Sequence, residues 1–482
     1  LYKLKENYDE HMLFKKEIKI RGVNMILSVI LAAGEGTRMK SNIPKAAHKV
    51  CGKSMVNHVI NAARDASCEK NIVIVGHGKE KVISSVEGND VEFVTQPVGD
   101  DMPYGTGYAV MQAKEYISDE DKVLILTGDT PLIEGDTLKE LVDYGTNNNL
   151  DAIVLTAKFK DSTGYGRIKR NEKGNILGII EHKDASENEL DIKEINSGIF
   201  LFSGKALKEA LENLTNDNSQ NEYYITDTIE ILNRKGYNVG GYLLKDNKEI
   251  SGVNSKVQLA EAEKIMRDKI NIEHMLKGVT LINPENTYIE KGVIIGRDTI
   301  IYPGAIIKGS TKIGDNCIIE GNSDIKDCII GDRVNIKSST LIESKVDDDT
   351  KVGPNAYLRP NSVIGKSVKI GDFVEVKNSK IGNGSKASHL SYIGDAEIGE
   401  NVNIGCGVVF VNYDGEKKHR TIVGDNAFIG SNSNLVAPVI IRDNGYIAAG
   451  STITHEVKEG DLSIGRARQI NKPGWVFRKN NK

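Results

Sequence analysis

The chain is poor in the features that would assign it at a glance. It holds five cysteines in 482 residues, at Cys51, Cys68, Cys317, Cys328 and Cys406, an odd number without CxxC spacing. That pattern argues against a disulfide framework or a zinc site and fits reduced thiols in the cytosol. No apolar run approaches the roughly 20 residues that cross a bilayer. An excess of one charge is missing too. The net charge is −4 with both signs mixed, which gives no reason to expect a nucleic acid or a general membrane surface as partner. Any anionic ligand must therefore be met by local clusters. Basic "KKEIKIR" (15–21) ahead of apolar "MILSVILAAG" (25–34) has the outline of a signal peptide. The apolar part is short, however, and cleavage would sever phosphate-loop chemistry from its own strand. Residues 1–24 read as an upstream-translated or loosely ordered extension, with Met25 as the natural start.

What is present is two textures. The length calls for two or three domains. From 26 to about 245, β-rich runs ("ILSVILAA", "NIVIVGHG", "KVLILTGD", "DAIVLTAKF", "INSGIFLF") alternate with helical segments, the pattern of a mostly parallel sheet covered by helices. The expected divisions are an α/β domain over 25–254, a linker helix within 255–280 and a β-helix with a C-terminal tail over 281–482. In the last of these, aliphatic-glycine pairs recur from Ile295-Gly296 to Ile429-Gly430, many of them at multiples of six or one short of it. That spacing predicts hexapeptide coils of about eighteen residues stacked on one another. The loop "VNYDGEKKHRT" (411–421) breaks the register and is expected to project.

Two constellations carry chemistry. The strand-end loop "LAAGEGTRMKSNIPK" offers Gly34 and Gly36 for close backbone approach, loop amides ahead of a helix for an anion, and the cations Arg38 and Lys45. Asp129 in "LTGDTP", at another strand end, could hold a magnesium ion bound to phosphates or merely cap its turn. In the repeat half, Arg359 and Lys377 both follow an inward aliphatic and are separated by one coil of eighteen residues, so they should stack. At a spacing of about 4.8 Å two such charges repel by roughly 3 kcal/mol at an effective dielectric near 20. Solvated cations are the plain reading, and a bound phosphate would make the pair a clamp. Just beyond, "SKASHLSYIG" supplies His389, able to take a proton near neutral pH, and Tyr392.

The motifs "LAAGEGTRM", "PK", "GTGYA", "GDTPL", "TGYGRI", "EHKDA", "EINSGIF", "EYYITD" and "GVN" occur in the order found in sugar-1-phosphate nucleotidylyltransferases. With the hexapeptide half, the chain over 26 to about 477 resembles the family of bifunctional N-acetylglucosamine-1-phosphate uridylyltransferases and glucosamine-1-phosphate acetyltransferases. The resemblance implies an α/β Rossmann-like nucleotidyltransferase domain followed by a left-handed parallel β-helix. It implies that Leu31, Ala32, Ala33, Gly34 and Arg38 contact the nucleotide, that Gln96, Gly105 and Thr106 read the uracil, and that Lys45 is a catalytic group holding phosphate. Gly166, Glu181 and Asn196 would hold the sugar, and Asp129 with Asn254 would coordinate magnesium (Mg2+).

In the second half it implies His389 as general base and Arg359, Lys377, Tyr392 and Asn403 as ligands of glucosamine-1-phosphate. Cys406, Asn412, Tyr413, Ser431, Ala449 and Arg466 fall to the acetyl-CoA side, Cys406 replacing the family's alanine and contacting through its backbone. The implied substrates are UTP, N-acetylglucosamine-1-phosphate, glucosamine-1-phosphate and acetyl-CoA, in a cytoplasmic homotrimer serving cell-wall precursor synthesis. Two departures stand out: "QPVGDDMPYGTG" lengthens the base-side loop between Gln96 and the GTG, and Thr127 replaces a common tyrosine. The alternatives are a single-activity nucleotidylyltransferase with a regulatory β-helix, a β-helix that is only a scaffold, and a metal-dependent hydratase. The last would need convergent histidines, which His389, His419 and His455 do not provide by spacing.

Overall fold

Each apolar run of the first half becomes a strand with both faces covered. The computed structural model describes residues 25–99 and 101–479, so the expectation for 1–24 lies outside the described residues. The strands are β1 (Ile26–Ala32), β2 (Lys70–Val75), β3 (Val91–Thr95), β4 (Lys122–Thr127), β5 (Ala152–Lys158), β6 (Arg167–Arg170), β7 (Ile176–Ile180), β8 (Glu194–Ser203) and β9 (Val239–Leu243). Their order across the sheet is β9-β5-β8-β4-β1-β2-β3, with the β6–β7 hairpin hung on β8. Along that order β8 alone is antiparallel, running against β4 and β5, while β6 and β7 pair antiparallel as a hairpin. Alternate residues of β1 enter opposite cores: Ile30 and Ala32 join Val56, Val59 and Leu138 on one side. Leu27 and Val29 join Val110, Leu207 and Ile229 on the other. Burial on both faces is why these runs are almost continuously apolar rather than alternating. The chain leaves β1 toward β2 and β3, then returns to β4 on its other flank. The carboxyl ends of β1 and β4 therefore flank a topological switch point, where open α/β sheets bind ligands.

The two compact units divide between Met266 and Arg267, inside the helix Lys256–Leu276. The second unit consists of short parallel strands in which Lys351 pairs with Lys369 and Tyr357 with Glu375, each eighteen residues on. The predicted inward aliphatics are buried, among them Ile313, Val352, Ile370, Ile393 and Ile429. The coils turn on left-handed residues such as Asp298, Asn316 and Asn361, each the third after an inward aliphatic, where short polar side chains tolerate positive φ. The repeating glycines have another cause. A Cβ at Gly314 would lie 2.7 Å from the Gly331 backbone, and one at Gly430 would lie 2.5 Å from the Ala449 nitrogen. Between Glu397 and its partner Ile422 the offset grows to twenty-five residues, which accommodates the predicted loop. This unit is the left-handed β-helix expected from the repeat.

Candidate functional site

In the first unit the carboxyl ends of β1, β3 and β4 surround a cleft of about 260 Å³ lined by Leu31, Ala32, Ala33, Gly34, Lys45, Gln96, Gly105, Thr106 and Asp129. A Cβ on Gly34 would meet nothing within 4 Å, so its backbone is open to a ligand. Gly36 has φ 69° and sits so close to Lys45 that a Cβ would be 2.7 Å from the lysine's own. The loop does not run into an α-helix as expected. It enters a three-residue 3₁₀ turn, Thr37–Met39, and the first α-helix begins only at Met55. With two glycines and a proline so near, the chain turns away before an α-helix can nucleate. Positive charge for an anion therefore comes from side chains rather than from a helix terminus.

Those side chains converge. Lys45 Nζ donates to Asp129 Oδ2 and to Asn254 Oδ1 at 3.0 Å, and Arg38 donates to the same Asn254 oxygen at 2.8 Å. Asn254 is brought there by the backbone bond from Val253 N to the Asp129 carbonyl, 2.9 Å. Two oxygens from segments 125 residues apart thus point at one position that a cation already fills, here an ammonium. A metal with only these protein ligands would complete its shell with substrate phosphates and water, the habit of magnesium. His48, not anticipated from sequence, ties the same loop to the residue after next. Its Nδ1 accepts from Lys256 Nζ at 3.2 Å, and burial, then the Lys256 charge, lower its pKa.

On the base side Gln96 is buried, while Val98, Met102 and Tyr104 of the lengthened loop are each about half exposed at the rim (52%, 50% and 51%). Tyr104 and Glu222 also line the cleft and were missed, since neither belongs to a quoted motif as a ligand. Gly105 has φ 118°, and Tyr223 closes over it through the bond from Gly107 N to the Tyr223 carbonyl at 2.7 Å. Gly105→Ala would set a Cβ 2.4 Å from that carbonyl oxygen. Strain and clash of this kind cost about 1–3 kcal/mol. The expected result is a KM raised about tenfold or more for the substrate this cleft takes, with any activity of the second unit unchanged.

Gly166, Glu181 and Asn196 form a second group, in which a Cβ on Gly166 would lie 3.3 Å from Glu181 Oε1. Asn196 N donates to the Gly166 carbonyl at 2.8 Å, the bulge of β8 begins at Asn196, and Glu181 Oε1 accepts from Thr226 at 3.1 Å. Burial raises the Glu181 pKa, with Asp184 and Glu222 adding to it. Burial, then Glu181, pushes Asp227 up to about 6. A neutral sugar with hydroxyl donors suits such acceptors better than another anion does.

In the second unit the candidates separate onto two edges of the prism and the face between them. Arg359 N donates to the Val376 carbonyl, so Arg359 lies beside Lys377 as the eighteen-residue spacing predicts. The side chains do not form the expected bare pair. Arg359 turns to Glu375, Nη1 to Oε1 2.9 Å, because a carboxylate in register with Tyr357 on the neighbouring coil relieves the repulsion. Lys377 instead faces Lys418, whose pKa its ammonium lowers. Asp395 lies beneath them. Burial pushes its carboxyl up, but the amides of Asn378 and Asn412 and the two lysines hold it below the usual carboxylate range. Asn412 Nδ2 is 2.5 Å from Asp395 Oδ2 and 3.4 Å from the Tyr392 hydroxyl, and Tyr413 is exposed in the loop. Lys418 stood in the quoted loop but, outside the coil register, offered no spacing to find it by.

The other edge is a register column. The pairing of Lys386 and Ala387 with Asn403 and Ile404, and of those with Phe428 and Ile429, sets His389, Cys406, Ser431 and Ala449 one above another. Bonds from Asn432 N to the Cys406 carbonyl and from Gly450 N to the Ser431 carbonyl continue it, and Arg466 Cδ lies near Gly450. Asn403 is on the face that runs into this edge. His389 and Gly394, the partner of Lys377, are five residues apart, at most about 17 Å along the strand. His419 is taken up by Asp414, 2.6 Å, and His455 by Thr454, 2.9 Å. Among the described residues no group of three or more His, Cys, Asp or Glu could hold a metal ion.

A Rossmann-like sheet with a phosphate-side cleft, joined to a hexapeptide β-helix, defines a two-domain transferase. Family models agree: a MobA-like NTP transferase domain matches 28–227, a GMPPB C-terminal domain 343–433, and bacterial transferase hexapeptide repeats 420–455. The chain is 56% identical to the bifunctional protein GlmU of Clostridioides difficile (strain 630) over 94% of its own length and 98% of the relative's. It is 53% identical to that of Alkaliphilus metalliredigens (strain QYMF) over the same shares. The chain belongs to the bifunctional GlmU family. It is therefore an enzyme with uridylyltransferase and acetyltransferase activities.

Proposed function

We propose that the acetyltransferase half joins the acetyl group of acetyl-CoA to the amine of glucosamine-1-phosphate, and that the cleft then joins the product to UTP with release of pyrophosphate. The observation that carries the second reaction is the convergence of Lys45, Asp129 and Asn254. The phosphate oxygen of N-acetylglucosamine-1-phosphate attacks the α-phosphorus of UTP in line. Leu31–Gly34 and Arg38 hold the nucleotide, Gln96, Gly105 and Thr106 read the base, and Gly166, Glu181 and Asn196 hold the sugar. Lys45 meets the phosphates, so the protein positions reactants and neutralises charge without a covalent intermediate. Asp129 and Asn254 would hold a magnesium ion, which when bound supplies further neutralisation of the triphosphate.

For acetyl transfer, Arg359, Lys377 and Lys418 hold the sugar phosphate with Tyr392 and Asn403, and His389 takes the amine proton. Acetyl-CoA lies along the edge of Cys406, Ser431, Ala449 and Arg466, near Asn412 and Tyr413. The separation of the cation edge from the His389 edge on one chain supports a site shared between copies in a homotrimer. No described helix is long and apolar enough to cross a membrane, and none of the five cysteines is joined in a disulfide, in keeping with work in the cytoplasm on cell-wall precursors.

A coupled assay tests this reading. Glucosamine-1-phosphate, acetyl-CoA, UTP and magnesium should yield UDP-N-acetylglucosamine, and omitting acetyl-CoA should stop it unless N-acetylglucosamine-1-phosphate is supplied. Uridylyl transfer without acetyl transfer would favour a regulatory β-helix instead. Lys377→Ala removes one charge-assisted phosphate contact, about 1.5–3 kcal/mol. The KM for glucosamine-1-phosphate should rise about 10- to 100-fold while the KM for UTP stays put. An unchanged acetylation rate at limiting sugar phosphate would remove Lys377 from the site.

A further inference from the structure

The coil before His389 carries Asp372 directly opposite it in register, with Oδ1 2.7 Å from His389 Nδ1. The hydrogen bond from His389 holds the Asp372 carboxyl below the usual range, and Lys369 contributes more weakly. The group is thus a carboxylate and can only accept. Nδ1 must then carry the proton of the pair, which leaves the lone pair of a neutral imidazole on Nε2, the ring atom turned away from Asp372. Both side chains are exposed, so a pair serving only to pin two coils together would add little, as exposed pairs do.

We propose that Asp372 is a positioning residue for acetyl transfer, fixing the tautomer and ring orientation of His389 so that Nε2 faces the substrate amine. The inference rests on His389 being the base. In the step it serves, the amine lone pair forms the C–N bond to the acetyl carbonyl carbon, and the amine proton passes to Nε2. The C–S bond of the thioester breaks with its electron pair going to sulfur, and the imidazolium returns the proton to the departing thiolate. The carboxylate stays ionised throughout and stabilises the imidazolium it faces.

The test is a double-mutant cycle in the full-length protein with Asp372→Asn, His389→Ala and both together. For each, kcat and KM for both acetyl-transfer substrates are measured, with uridylyl transfer and the thermal midpoint as controls for folding. Asp372→Asn is expected to lower kcat about 10- to 100-fold with KM values within about twofold. Added to His389→Ala it should cost nothing further, since its action passes through a ring no longer there. Two results overturn the positioning role while leaving the base in place: a kcat for Asp372→Asn within about twofold of the parent, or losses that multiply in the double variant. Undiminished acetyl transfer by His389→Ala alone would instead remove the base, and the positioning role with it.

Discussion

Asp129→Asn is expected to abolish uridylyl transfer, by about 10³-fold or more, roughly 4 kcal/mol of lost transition-state stabilisation. The substitution keeps the shape and removes the charge. It takes from Lys45 its carboxylate partner and from the cleft the carboxylate that faces Asn254 across the ammonium. What remains is two neutral amides, poor ligands for magnesium against its hydration shell. Both residues of the ion pair are mostly covered, with side-chain exposures of 22% and 18%, so little water replaces what is lost. Acetyl transfer should stay within about twofold, because the β-helix belongs to the other compact unit. A folded variant that loses both activities would show that the units do not work independently. A variant that keeps uridylyl transfer would show that Asp129 only caps its turn.

The reciprocal experiment is His389→Ala, for which acetyl transfer should fall about 10²- to 10⁴-fold, the usual yield of a positioned general base. Uridylyl transfer from supplied N-acetylglucosamine-1-phosphate should not change. The side chain is exposed at the edge of the stack and hydrogen-bonds to Asp372, so no core packing is disturbed and the thermal midpoint should hold. An equal loss of both activities would mean misfolding rather than chemistry. Wild-type acetylation would reduce the column of His389, Cys406, Ser431 and Ala449 to scaffold.

These residues also show how far one-dimensional reading reaches. The sheet was legible because strands buried on both faces advertise themselves as apolar runs, and the β-helix because an inward aliphatic cannot be spared at any coil. Rotamers and departures from the repeat were not legible. An eighteen-residue step correctly stacks Arg359 with Lys377, but it says nothing of Glu375, which draws the guanidinium aside. The coil after is seventeen residues, so Asp372 meets His389 and not Leu390, a pairing that strict arithmetic misses. Lys418 arrives through the seven extra residues of the loop, and Asn254 reaches Asp129 through a backbone bond spanning nearly half of the first unit. Such contacts depend on where segments return in space, which spacing along the chain does not encode.

The glycines that let one coil sit against the backbone of the next make the stack incompressible along its axis, and that turns an edge into a ruler. From His389 to Arg466 the column advances four coils, about 19 Å at strand spacing. On the proposed reading, a donor whose far end is gripped at Arg466 would deliver its acyl carbon to the imidazole only if its own extended length matched that interval. Truncated thioesters would reach one mark or the other, never both.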